Sequence, residues 1–170
     1  MIRSGWSAAS SMSVGTAVRL YTTPHQHKYL LGKLSDPKRT LRSPYGLHAL
    51  EEIQLILRHR LLQVRSPGVL NHVELLVEAP AEYMLSRNQE KQLNGFVSSL
   101  MAKELVQTVS FYTTVIGMRR REALRAFLRE YGIDDEDWSF EAVQICYWRT
   151  CRRIAKRNRA ARALPGISPP

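Results

Sequence analysis

Disulfide chemistry has little to work with in this chain, because 170 residues include only two cysteines, Cys146 and Cys151. A small secreted scaffold stapled by disulfides is excluded. On one helix the two thiols would point about 140° apart, which forbids a bond between them. Cys-x4-Cys with no further cysteine or nearby histidine is no zinc box either. Long apolar runs are also missing. The longest charge-free stretch in the body, residues 105–118, is interrupted by Gln107, Thr108, Ser110, Thr113 and Thr114. A membrane-spanning helix needs about 20 apolar residues, so no span is expected.

Recognisable catalytic signatures are absent too. There is no phosphate-binding Walker loop, no Gly-x-Gly-x-x-Gly and no Gly-x-Ser-x-Gly elbow. The histidines are His25, His27, His48, His59 and His72. His48 and His59 would share a helical face about 16 Å apart, too far to hold one ion. His25-Gln26-His27 is a pair of ligands at most, in a proline-flanked stretch expected to be mobile. No enzyme, cofactor or metal site follows from these residues.

Acidic residues are absent from residues 1–35, which carry Arg3, Arg19, Lys28 and Lys33 among many small and hydroxyl residues. Such a composition fits a flexible basic leader over 1–42, with residues 1–22 contributing little to a core. It also fits a mitochondrial transit peptide cut after Tyr21. Two locations stay open: the cytoplasm of a bacterial or viral host, or a mitochondrial matrix with 1–21 removed.

Positive charge is abundant: 25 Lys and Arg against 15 Asp and Glu give a net +10 and a pI of about 10.1. It is unevenly spread. Residues 1–66 balance at +7, 67–118 at −2 and 119–170 at +5. A near-neutral packing segment thus lies between two basic ones. Residues 134–141 hold five acids, whereas 149–162 hold seven bases and no acid. A polyanionic partner is favoured by this segregation.

Periodicity predicts a mainly α chain, with a single helical domain over 43–160 and a disordered tail over 161–170. Ser43-Pro44 suits a helix start, and Leu47, Leu50, Gln54, Leu57, Leu61 and Val64 recur at helical spacing to about residue 64. Residues 69–80 are too short to settle, with helix leading and a short strand at 72–78 the alternative. Ser86 and Gln89 form a capping-box pattern. Leu93, Phe96, Val97, Leu100, Met101 and Leu105 follow on one helical face. Residues 106–116 have strand propensity or extend that helix.

The C-terminal third reads as two helices, 119–131 and 139–159. Gly132 stands where a left-handed helix end is expected. Asp134, Asp135, Glu136 and Asp137 lack the glycine and distal glutamate of a calcium loop, and are expected to face the positive end of the next helix. On a helical wheel Phe140, Val143, Tyr147, Cys151 and Ile154 form one seam. Arg149, Arg152, Arg153, Lys156 and Arg159 lie nearly opposite, and Arg157 extends the ridge. A helix, a turn and a basic helix outline a helix-turn-helix-like pair, although the 132–138 loop is long for that motif.

The expectation is a non-enzymatic nucleic-acid-binding protein that places Arg149, Arg152, Arg153, Lys156, Arg157 and Arg159 on phosphates. A DNA-binding regulator or accessory factor of bacterial or mobile-element type leads. An RNA-contacting subunit of a large assembly such as a mitochondrial ribosome, among other protein subunits, is the second reading. A protein-interaction adaptor is the third.

Overall fold

The computed structural model describes residues 15–68 and 71–162. Its elements run β1 (Thr16–Tyr21), α1 (Pro24–Leu34), α2 (Pro37–Arg42), α3 (Pro44–Leu57), β2 (Arg60–Arg65), β3 (His72–Glu78), α4 (Arg87–Thr114), α5 (Arg120–Glu130) and α6 (Phe140–Arg162). The architecture is mostly helical with one small antiparallel sheet of order β1-β3-β2.

The expected leader over 1–42 is overturned from residue 15 onward. β1 pairs with β3 along its whole length, from Thr16 opposite Val77 to Tyr21 opposite His72. Its Val18 and Leu20 are buried, as are Tyr29, Leu30 and Leu34 of α1. Apolar residues at spacing two, and a helix of only three turns, were hidden by the small and hydroxyl residues around them. Residues 1–14 lie outside the described residues. A cut after Tyr21 would remove β1.

The helix expected to reach residue 64 ends earlier, at Leu57. Arg58 takes the left-handed conformation, φ 59° and ψ 22°, and β2 follows. Leu61 and Val64 are both buried, a spacing of three that mimics a helix. The cause is a bulge: Leu61 faces Val77 and Gln63 faces Leu76, leaving Leu62 extra. One extra residue shifts the alternation and returns Val64 to the core face. At 72–78 the chain is strand and not helix, with Val73, Leu75 and Val77 all buried.

Residues 106–114 belong to α4 and not to a strand. A capping box starts the helix: the Ser86 Oγ accepts the Gln89 N–H at 3.2 Å, and the Gln89 Oε1 accepts the Ser86 N–H at 3.0 Å. Once nucleated, propagation outweighs the β-branched residues near its end, where Leu105 and Val109 are fully buried one turn apart. Thr113 and Thr114 turn their hydroxyls back onto Val109 and Ser110 carbonyls.

One buried polar cluster ties these elements together. Glu104 on α4 pairs with Lys33 of α1 at 2.5 Å. It also accepts the Tyr29 hydroxyl at 2.6 Å and the Tyr131 hydroxyl at 2.8 Å. The Lys33 ammonium lies 5.5 Å from the centre of the Tyr45 ring and 5.6 Å from that of Tyr131. Burial, then the Glu104 charge, pushes the Tyr29 hydroxyl far above its ordinary pKa.

Candidate nucleic-acid interface

Both C-terminal helices pack on α4. Between them, Gly132 adopts φ 63° and lets the Ile133 N–H reach back to the Leu128 carbonyl at 2.9 Å. That closes α5 as a glycine-ended helix should close. Buried Ile133 then anchors the loop.

The acidic loop is spent on its own backbone. The Asp134 Oδ1 accepts the N–H groups of Glu136 and Asp137, both at 3.1 Å. The Asp137 Oδ2 accepts the Asp134 N–H at 3.0 Å and also pairs with Lys28. The Asp135 Oδ1 accepts the Phe140 N–H at 3.2 Å, at the positive end of α6. Bonding to Asp137, foremost through its backbone, holds the Asp134 carboxyl below the usual range.

His25 and His27 do not converge as a ligand pair, and they stand in α1 rather than in a mobile stretch. His25 stacks on Trp138 with ring centres 4.8 Å apart, and its Nδ1 lies 3.1 Å from the Asp137 carbonyl oxygen. His27 is buried beside Ser66. Burial lowers the pKa of both. Among the described residues, no three His, Cys, Asp or Glu side chains are grouped to hold a metal ion.

α6 is amphipathic over its first four turns. Val143, Tyr147 and Thr150 are buried, with Phe140, Cys151 and Ile154 partly so. Burial raises the Tyr147 hydroxyl pKa, and Cys151 adds to that shift while Arg120 opposes it. From Ala155 to Ala161 every side chain is exposed, so the end of the helix stands clear of the domain. Arg149, Arg152, Arg153, Lys156, Arg157 and Arg159 are all exposed, and none joins an ion pair among the described residues.

The fold separates these six residues into two rows. Arg149, Arg153 and Arg157, one turn apart, line a cleft of about 590 Å³ between α6 and α4. Its other wall includes Gly95, Ser98, Ser99, Ala102 and Lys103 of α4. Burial pushes the Cys146 thiol up, while Thr150 and the nearby Arg153 and Arg149 draw it down. Arg152, Lys156 and Arg159 are not among the cleft residues, and the wheel places them on the sector next to Trp148.

Sequence reasoning missed the cations that neighbouring helices bring to α6. Lys103 joins the cleft from α4. The Arg120 guanidinium lies 4.7 Å from the centre of the Trp148 ring, and those of Arg121 and Arg125 lie 5.6 Å and 5.2 Å from the Phe140 ring. No local spacing signals such contacts, since each joins two different helices. Comparison with protein-family models, curated proteins and solved structures finds no match to this chain.

Proposed function

We propose that this chain is a non-enzymatic nucleic-acid-binding protein whose α6 lies against a phosphate backbone, acting as a regulator or accessory factor on DNA. In this reading α5 and α6 work as a helix-turn-helix-like pair. α6 makes contact, and α5 helps hold it on α4. The observation that carries the reading is six exposed bases in two rows on α6, with no acid among them and no ion-pair partner among the described residues. Like charges four apart, such as Arg149 with Arg153 and Arg152 with Lys156, destabilise a helix by a few tenths of a kcal/mol per pair. A phosphate backbone converts that repulsion into affinity through released counterions. The exposed final turns of α6 suit a groove, because among the described residues no neighbour packs over them. A cytoplasmic location goes with this reading, and an import cut at Tyr21 would cost the sheet its β1 strand.

The test is the variant R149A/R152A/R153A/K156A, first matched to the parent by circular dichroism. All four side chains are exposed, so the fold should persist. Expected is a large loss of affinity for duplex DNA, uniform across sequences because phosphate contacts position without reading bases. Parental affinity in this variant would overturn the proposal.

A further inference from the structure

The cationic surface does not stop at α6. Arg120, Arg121 and Arg125 project from α5 over the rings of Trp148 and Phe140 on α6. All three arginines are exposed, and none is in an ion pair among the described residues. Arg121 and Arg125 stand one turn apart and share the Phe140 ring. Trp148 is 48% exposed and lies one turn before Arg152, so Arg120 approaches the outer row of α6, while Arg121 and Arg125 stand at the start of the helix.

A guanidinium against an aromatic ring gives up one face to the ring and keeps its N–H edge for an anion. Its side chain is already ordered, so less freedom is lost when a planar, two-oxygen partner arrives. Free arginines on a solvated helix have no such preparation. Three arginines held against rings therefore differ from a merely soluble surface.

We infer that Arg120, Arg121 and Arg125 form a second phosphodiester-binding patch, with Phe140 and Trp148 as positioning residues that hold them. The inference rests on the proposed nucleic-acid reading and widens its footprint from one helix to two. Duplex DNA and duplex RNA offer the same phosphodiester chemistry, and separate titrations distinguish them.

The experiment measures affinity against salt for the parent, R120A/R121A/R125A and R120K/R121K/R125K, on a duplex DNA and on a duplex RNA of matched sequence. Phosphatidylserine vesicles form a third arm. On the duplex that the parent binds, the alanine variant should reduce the magnitude of the log–log salt slope by about 2.7, near 0.9 for each lost contact on B-DNA and somewhat less on RNA. The lysine variant keeps its charge, so its slope should match the parent while its affinity falls. F140L/W148L should do the same, and F140Y/W148Y should restore binding. An alanine variant with parental slope and affinity overturns the inference alone, provided R149A/R152A/R153A/K156A has lost binding. A loss seen on vesicles but on neither duplex also overturns it. A parent that binds neither duplex sinks the nucleic-acid reading itself.

Discussion

Glu104 shows how much depends on single side chains in a basic domain of this size. Its carboxylate is the anion for Lys33 and the acceptor for two tyrosine hydroxyls, all inside the core. Replacing Glu104 with Ala leaves a buried ammonium with no counter-charge, which costs about 3–5 kcal/mol. Urea unfolding of Glu104→Ala should show that loss, and an unchanged midpoint would contradict the geometry. His27 gives a second residue-scale prediction. Its pKa is lowered chiefly by burial, so the unfolded chain binds its proton more tightly than the folded one. Stability should therefore fall as pH drops below the ordinary histidine pKa of about 6.5. His27→Gln should flatten that decline in melting temperature between about pH 7 and pH 5. None of the Glu104 cluster was legible in the sequence. Lys33 and Glu104 lie 71 positions apart, and only the packing of α1 on α4 brings them together.

At the scale of elements, the sequence was legible where side-chain pattern and end signals agreed. Ser86 with Gln89 marked the start of α4, and Gly132 marked the end of α5. It misled where two geometries produce one spacing. The bulge at Leu62 places Leu61 and Val64 on a common face at a helical interval, and only pairing with β3 reveals the strand. The 106–114 segment is the converse, strand-prone residues drawn into α4 by a helix already formed. Arg58 marks the true boundary of α3 and pays for its left-handed backbone without the freedom glycine would bring. Tyr83 donates to the Leu57 carbonyl at 2.9 Å, and Gln89 reaches the Ile56 carbonyl at 3.2 Å, so this helix end is already held. Arg58→Gly should accordingly raise stability by about 1 kcal/mol in urea unfolding. A loss of stability would show that the Arg58 side chain itself supports the turn.

Across the whole molecule, sign segregation persists from sequence to surface. Asp134, Asp135 and Asp137 are tied up within their loop and with Lys28, at the helix start. The bases gather toward its free end. That much of the candidate interface was readable from a wheel, because α6 is long and its two faces are chemically distinct. The cleft to α4 and the stacked arginines of α5 were not readable, since both arise from helix packing. Salt dependence of the parent's affinity for duplex DNA probes this arrangement most directly, because counterion release counts phosphate contacts. With four to six contacts from α6, the log–log slope should have a magnitude of at least about 3.6. R149A/R152A/R153A/K156A should lower that magnitude by about 3.6, leaving what Arg157, Arg159 and α5 contribute. A parent whose affinity is indifferent to salt, or that does not bind at all, would contradict the account.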